Sequence, residues 1–231
     1  MGIFSHAVQK NLTIYQNKTL KDSLHEALKK TITLGEVPAG TRVNEKELSD
    51  SLNISRTPIR HALEKLEEER LVERIHGRGV IVKGISQEDA KEIFSIRKAL
   101  DTLATITAAK NMDDEDFQEL YLLLKAGDMY YDGGLIDELL ENFKAFNEFI
   151  YQKSEMNRLR AIIIDLKEYF RYFRDISIRS DERAGPALED HWKIYYGMKG
   201  KNWDEIEKIV HLHLKHSEKY ILKEMEDRGI E

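Results

Sequence analysis

A short proline-containing segment, Ser55–Arg60, concentrates polar and basic side chains at the start of a helical pattern. Ile59 and Leu63 set the apolar stripe of that pattern, so the side chains left outside are Ser55, Arg56, Thr57 and Arg60. Unpaired N–H groups at a helix N-terminus suit phosphate, and arginine can bind guanine edges through two hydrogen bonds. One arginine alone would indicate only an ordinary solvated surface, but the set indicates contact with a nucleic acid.

A second candidate for contact with a nucleic acid is the segment Leu71–Val82, where two short apolar runs flank a glycine-rich turn that contains an arginine. This pattern predicts a β-hairpin whose tip carries Gly77, Arg78 and Gly79. Arg42, in an extended segment further upstream, is a basic candidate of the same kind. We therefore expect Arg42 and the hairpin tip to contact DNA together with the helix start.

Residues in the second half of the chain could bind an anion or a metal ion. Arg97 adjoins an apolar stripe with Asp101 one turn later, a spacing that by itself favours a surface ion pair. Four of the eight histidines fall near the end of the chain, at His191, His211, His213 and His216. Single helical histidines are usually core or surface residues, whereas two or three that converge would form a divalent metal site.

The elements that position the predicted DNA-contacting residues occupy residues 1–83. Residues 1–17 show no clear period and predict a loose arm. Three segments with helical periodicity follow, with predicted N-caps at Thr19, Asn44 and Thr57. Glu47 would complete a capping box with Asn44, and Pro58 would take the first helical position after Thr57. Three helices and a hairpin predict a winged helix-turn-helix.

Residues 84–231 show helical spacing throughout and predict an all-α bundle, so the whole chain is expected to be mainly α. The predicted helices span 87–110, 113–131, 133–153, 155–179, 184–199 and 202–227. The predicted buried side of the first one is Ile93, Ile96, Leu100, Leu103 and Ile106. Ile206, Ile209 and Val210 set the core face of the last one.

Composition separates the two regions and excludes several classes of protein. In residues 1–83 Lys and Arg outnumber Asp and Glu by 14 to 11, whereas in the remainder they are outnumbered by 31 to 22. The absence of cysteine excludes disulfide scaffolds, thiolate metal sites and cysteine nucleophiles, and it fits a reducing cytoplasm. No run approaches the roughly 20 apolar residues of a membrane span, and no signal peptide opens the chain. We therefore expect a cytoplasmic protein with no membrane partner.

The run GEVPAGTRVNEKELSDSLNISRTPIRHALEKLEEERLVERIHGRGVIV resembles the DNA-binding module of the GntR family of bacterial transcription regulators. The similarity covers about residues 19–83 without a gap, and its Ser-Arg-Thr-Pro-Ile-Arg core is highly specific. The resemblance implies that the chain binds double-stranded operator DNA as a homodimer. It also implies recognition-helix contacts at Ser55, Arg56, Thr57 and Arg60, and wing contacts at Gly77, Arg78 and Gly79.

Residues 86–220 more diffusely resemble the ligand-binding FCD domain of FadR-type GntR regulators. The run IRKALDTLATITAA is similar to its first helix, whose arginine, here Arg97, binds a carboxylate effector. The run DHWKIYYGMKGKNWDEIEKIVHLHL is similar to its final helices, whose metal-binding histidines match His191 and His213, 22 residues apart. The resemblance thus implies an effector site built from Arg97, Asp101, Asn147, His191 and His213.

The chain departs from that family pattern at two metal-ligand positions. Where the family has an aspartate and a histidine four residues apart, this sequence has Phe143 and Asn147. Phe143 cannot bind a metal, and Asn147 can do so only through its amide oxygen. His191, His213 and Asn147 could hold a divalent ion such as Zn, Ni or Mn, with His216 as a further candidate. Alternatively, no metal binds and the two histidines contact the effector directly.

These observations predict a dimeric transcription regulator controlled by a small carboxylate, with citrate preferred and lactate, malate or a sugar acid behind it. One rival is a regulator without an effector, whose helical domain serves only for dimerisation. A second is a metal-dependent hydrolase, although the chain has no His-Glu-x-x-His pair and no P-loop. A third is a fatty-acyl ligand, which would require a long apolar pocket without the histidine pair.

Overall fold

The computed structural model describes residues 2–12, 19–179 and 181–231, except for the side chains of Asp181 and Glu182. The chain divides into two compact units. The first, the DNA-binding unit, contains residues 1–87 together with 225–231, and the second, the helical unit, contains residues 88–224.

The DNA-binding unit is a winged helix-turn-helix, as the sequence predicts. Its elements are α1 (Ile3–Asn11), α2 (Leu20–Thr33), β1 (Arg42–Val43), α3 (Glu45–Leu52), α4 (Arg56–Glu68), β2 (Val72–Ile75) and β3 (Gly79–Val82). The strands form an antiparallel sheet in the order β1-β3-β2, with Arg42 opposite Ile81 and Arg74 opposite Val80. The fully buried side chains at the centre of the unit include Leu24, Leu28, Leu48, Ile59, Leu63 and Leu66.

The prediction of a loose arm over residues 1–17 is wrong for its first part. Ile3–Asn11 form a helix that buries Phe4, Ala7 and Val8. The Gly2 backbone N–H and the Ser5 hydroxyl both donate to the Glu47 carboxylate on α3. The nine-residue helix offers too few turns for its apolar spacing to stand out in the sequence. Residues 13–17 of the predicted arm lie outside the described residues.

The helix starts of this unit confirm some predicted caps and correct others. Thr19 caps α2 by accepting from the Asp22 N–H at 3.2 Å, and Asn44 accepts from the first turn of α3. Glu47 does not complete a capping box, because its carboxylate binds the start of α1 instead. The N-cap of α4 is Ser55 rather than Thr57, so Pro58 lies at the third helical position. That position is still within the first turn, where proline is tolerated because its missing N–H has no intrahelical partner.

The helical unit contains seven helices in the part of the chain that is described, one more than the sequence predicts. They are α5 (Gln87–Asn111), α6 (Asp114–Asp132), α7 (Ile136–Lys153), α8 (Asn157–Glu168), α9 (Arg171–Arg179), α10 (Asp181–Lys199) and α11 (Trp203–Asp227). The predicted helix 155–179 is divided around Phe170, whose ring is buried and stacks on Phe94 at 5.5 Å. None of the described helices is long and apolar enough to cross a membrane.

The predicted buried side of α5 is wrong, whereas that of α11 is confirmed at Ile206 and Val210. On α5, Ile96 is 41% exposed and Leu103 46% exposed. The side that packs into the unit instead carries small, aromatic and charged residues: Ala90, Phe94, Arg97, Asp101, Ala104, Thr105 and Ala108. The apolar stripe of α5 therefore faces outward, and the helix packs through the side that holds the ion pair.

Candidate functional site

The N-terminus of α4 presents the predicted DNA-contacting side chains to solvent. Ser55, Arg56, Thr57 and Arg60 are all exposed, while Ile59 is fully buried behind them. The Ser55 side chain makes no capping hydrogen bond to α4, which leaves the first-turn N–H groups available to a phosphate. Arg60 donates from Nε to Glu45 Oε2 at 2.8 Å, and this hydrogen bond raises its pKa. This hydrogen bond uses one of the five guanidinium N–H donors, so Arg60 keeps four for another partner.

The hairpin places the remaining predicted contacts at its tip and along its edge. Gly77 and Gly79 have φ angles of +75° and +84°, a backbone region that favours glycine, so both shape the turn that exposes Arg78. Arg42 is exposed on β1, and a Cβ at Gly79 would lie 3.7 Å from its Nε. The structure thus places Arg42 on β1, the strand that pairs with β3 of the hairpin whose tip carries Arg78.

The helical unit contains a pocket of about 50 Å³ that is lined by side chains of six helices, several of them cationic. The lining residues come from α5, α7, α8, α9, α10 and α11. They are Arg97, Leu140, Phe143, Lys144, Asn147, Lys167, Arg174, Ile178, Arg183, Ala187, His191, His213 and Ser217. Five of these residues are Lys or Arg, and no Asp or Glu is among them. We call this space the anion pocket.

Arg97 reaches the anion pocket from α5 and is held there by Asp101. Arg97 Nε donates to Asp101 Oδ2 at 3.1 Å, and the Tyr151 hydroxyl donates to Asp101 Oδ1 at 2.5 Å. All three residues are buried, so the surface ion pair that the spacing alone favours is not what forms. Burial, and then the Asp101 charge, raise the pKa of Tyr151 well above its ordinary value. Asp101, predicted to contact the effector, does not line the pocket and orients Arg97 instead.

His191 and His213 meet at the anion pocket, as predicted. Their ring centroids are 5.0 Å apart, and His191 stacks on Phe146 at 4.2 Å with the Phe143 ring edge-on at 4.8 Å. His191 Nδ1 is buried without a hydrogen-bond partner among the described residues. Burial, and next the His213 charge, lower the pKa of His191 well below its ordinary value, so His191 is neutral at pH 7. A neutral imidazole with a free nitrogen can accept or donate a hydrogen bond to a ligand.

His216 contacts Asp190 outside the anion pocket. His216 Nδ1 lies 2.9 Å from Asp190 Oδ2, and His213 Nδ1 lies 3.5 Å from the same oxygen. Neither His216 nor Asp190 lines the anion pocket. His216, the further metal candidate of the sequence, therefore lies outside the pocket that His191 and His213 line.

The donor set of the anion pocket does not fit a divalent metal ion. Phe143 places an aromatic ring against His191, and the Asn147 amide nitrogen donates to the Phe143 carbonyl at 2.6 Å, so only the weakly binding amide oxygen of Asn147 remains to join the two histidines. The Lys167 and Arg183 charges both lower the pKa of His191, and the same positive potential opposes a divalent cation. Within the described residues, no group of three or more His, Cys, Asp or Glu side chains is arranged to hold a metal.

Lys167 and Arg183 are pocket residues that the sequence reasoning did not identify. Lys167 Nζ donates to the Tyr151 hydroxyl at 3.4 Å, and burial, followed by repulsion from Arg97, lowers its pKa to about 7. Arg183 is buried and donates to the hydroxyls of Ser177, at 2.6 Å, and Ser217. Burial, followed by repulsion from Arg174, lowers the pKa of Arg183 to about 10. In a sequence this rich in charge, such residues look like parts of solvated helix faces.

Comparison with known proteins matches each unit to a family. Residues 20–82 match the model of bacterial regulatory proteins of the gntR family, and residues 92–216 match the FCD domain. The HTH-type transcriptional regulator YdhC of Bacillus subtilis is 26% identical over 204 residues, which are 88% of this chain and 91% of YdhC. The gluconate operon transcriptional repressor of Bacillus licheniformis is 26% identical over 80% of this chain and 77% of its own length.

Two solved structures share the fold. McbR/YncC of Escherichia coli superposes with a TM-score of 0.61 at 20% identity, covering 89% of this chain and 98% of that protein. Lar, which controls the agr system of Listeria monocytogenes, gives a TM-score of 0.68 at 15% identity, covering 90% of this chain and 99% of Lar.

Proposed function

We propose that this chain, which belongs to the gntR family of bacterial regulatory proteins and carries an FCD domain, binds operator DNA with an affinity that a small carboxylate controls. Its family makes it a DNA-binding transcription regulator. The observation that carries this proposal is the anion pocket, where five Lys or Arg side chains and no carboxylate surround a cavity. The matched families are regulators rather than enzymes, so the hydrolase alternative is set aside.

The DNA-binding unit is proposed to read the operator through α4 and the wing. Ser55, Arg56 and Thr57 would enter the major groove at the helix N-terminus, and Arg60, oriented by Glu45, would contact the DNA through its remaining donors. Arg42 and Arg78 would bind phosphates beside the groove. Such binding would place the work of the protein in the cytoplasm, where the chromosome lies.

The effector is proposed to bind Arg97 through a carboxylate, with His191 and His213 bonding other oxygens of the acid. Arg97 offers a charge-assisted contact at one end of the pocket, and His191 offers an unpaired ring nitrogen. Citrate remains the first candidate, followed by malate, lactate and sugar acids. The similarity to a gluconate operon repressor adds gluconate, a hydroxy acid, to the acids worth testing. An effector that carries Zn, Ni or Mn with it is the alternative.

The homodimer is proposed to form through the outward apolar stripe of α5. Ile93, Ile96, Leu100 and Leu103 alternate at intervals of three and four residues, the spacing of a coiled-coil seam. Such a stripe is complementary to its own copy across a two-fold axis, which makes a second chain the occupant that fits it. Leu103→Glu should convert a dimer to a monomer in sedimentation equilibrium. Lys91→Glu, exposed on the same helix away from the stripe, should leave the dimer intact; dimers in both variants would contradict the assignment.

The test of effector control is operator affinity measured with and without candidate acids. A binding site selected from random duplex DNA would be labelled, and its Kd measured by fluorescence anisotropy with citrate, malate, lactate or gluconate. Each acid would be tested with EDTA and with Zn, Ni or Mn at constant ionic strength, because DNA affinity depends on salt. We expect one acid to change the Kd by at least about fivefold. A flat response to every acid would favour the regulator without an effector.

A further inference from the structure

The cations around the anion pocket are not equally balanced by carboxylates. Arg97 pairs with Asp101, Lys144 with Glu141 at 2.6 Å, and Arg174 with Asp175 at 3.3 Å. Among the described side chains, by contrast, Lys167 and Arg183 have no carboxylate within ion-pair distance.

The partners of these two residues are neutral. Among the described residues, Lys167 donates to the Tyr151 hydroxyl and lies over its ring, and Arg183 contacts two serine hydroxyls and the Tyr220 ring. Neither residue forms an ion pair in the described part of the protein, and the largest charge effect on each is repulsion, from Arg97 on Lys167 and from Arg174 on Arg183.

Such an imbalance points to a ligand. Burying an unpaired charge is costly, and proteins normally compensate for it with an opposite charge, a metal or a change of protonation. The second independent observation is the unpartnered Nδ1 of His191, which is fully buried and lines the same pocket. A negatively charged group that bonds Lys167, Arg183 and His191 would satisfy all three.

We propose that the anion pocket takes a small organic acid with two negative charges and binds it without a metal ion, with Lys167 and Arg183 neutralising the second charge. One carboxylate pairs with Arg97, and the other lies between Lys167 and Arg183. The enclosed space is small, about 50 Å³, which favours a short acid. This inference rests on the proposed control by a carboxylate and adds to it the charge of the acid and the residues that replace a metal.

Matched pairs of acids test the charge requirement. Malonate, succinate and glutarate would each be compared with their monoamides, which keep the length and lose one charge. Binding would be measured by isothermal titration to the full-length protein, after metal removal and with EDTA present. For at least one length we expect the diacid to bind about tenfold or more tightly than its monoamide, with no effect of EDTA, because charge-assisted hydrogen bonds are about twice as strong as neutral ones.

The outcomes separate this inference from the function on which it rests. Equal affinity for diacid and monoamide, or binding that requires added Zn, Ni or Mn, overturns the dianion inference while effector control stands. Failure of all six acids to bind also overturns it, and the hydroxy acids of the operator assay then decide whether effector control survives.

Substitutions locate the second charge. Lys167→Gln and Arg183→Gln should each weaken diacid binding about tenfold and affect the monoamide less, because each removes a charge that only the diacid engages. Lys167→Arg should restore the preference for the diacid. Lys208→Gln, at an exposed lysine of α11 that does not line the pocket, should change neither affinity and serves as the control. If Arg183→Gln fails to fold, Lys167→Gln decides; an unchanged preference in Lys167→Gln refutes the assignment.

Discussion

Replacing Lys167 with methionine should stabilise the helical unit at neutral pH. The pKa of Lys167 falls from 10.5 to about 7 in the folded protein, with burial as the main cause and the Arg97 charge next. At about 1.4 kcal/mol per pKa unit, the cost of keeping this lysine charged is about 5 kcal/mol, and about 4 kcal/mol of it applies at pH 7. Methionine fills a similar volume but loses the hydrogen bond to Tyr151, worth about 1 kcal/mol. We therefore expect a gain of about 3 kcal/mol.

The gain should depend on pH in a defined direction. Between pH 7 and 10.5 the unfolded chain binds more protons at Lys167 than the folded chain, so the wild-type protein becomes more stable as pH rises. The advantage of Lys167→Met should accordingly shrink through that interval and be smallest near pH 10. Below pH 7 the lysine is protonated in both states, and the advantage should level off at its maximum.

Tryptophan fluorescence during urea unfolding provides the assay. Both tryptophans of the chain, Trp192 and Trp203, lie in the helical unit, so their emission reports on that unit alone. Midpoints would be compared at pH 6, 7, 8.5 and 10 for wild type, Lys167→Met and the exposed control Lys193→Met. A variant less stable than wild type at pH 7, or a difference that does not change with pH, would refute the reasoning. Either result would mean that the lysine charge is compensated in the free protein.

Three further predictions concern other residues. Arg56→Ala should cost roughly 1–3 kcal/mol in operator affinity and relax the preference at one base position, measured by anisotropy on single-base variants; uniform weakening on all DNA would make Arg56 a phosphate contact. Arg97→Ala should abolish the effector response in the operator assay while DNA binding without effector survives; a persisting response would move the carboxylate elsewhere. Burial raises the pKa of Glu69, but hydrogen bonds and charge from His25 and Lys29 outweigh it and leave the pKa below 4.5. Its stabilisation is thus complete above pH 4.5 and lost as pH falls through the lowered pKa, so the hydrogen-exchange protection factors of α4, which correct for the intrinsic exchange rate, should fall in acid, and less so in Glu69→Gln.

The winged helix-turn-helix could be predicted from the sequence because its signals are local. Thr19 and Asn44 cap their helices within three residues, and the glycines at 77 and 79 fix the wing turn through positive φ angles. The α1 helix was missed because what holds it is not local. The carboxylate that accepts from Gly2 and Ser5 belongs to Glu47, more than forty residues further along the chain.

Hydrophobic periodicity predicted the wrong buried side for α5, for a physical reason that bears on function. The method equates the apolar stripe with the buried side, which holds when a helix packs only against a core. On α5 the side that packs into the unit must deliver Arg97 to the anion pocket, and Asp101 and Thr105 accompany it. The apolar residues are consequently displaced to the outside, where a second chain is the proposed partner. A mismatch between periodicity and burial on α5 thus marks the pocket and the proposed dimer face.

The pocket cations that periodicity could not reveal also connect stability with regulation. Lys167 and Arg183 come from different helices, so only the fold brings them together. In the free protein their charges oppose folding of the helical unit, and a dianion that neutralises them removes this opposition. Lys167→Met therefore gains stability by removing the same unfavourable charge that the proposed effector would neutralise when it binds. A variant that is more stable than wild type without the effector should therefore gain less stability when the effector binds. The effector can change operator affinity only if it binds the DNA-bound and the free arrangements of the protein with different free energies.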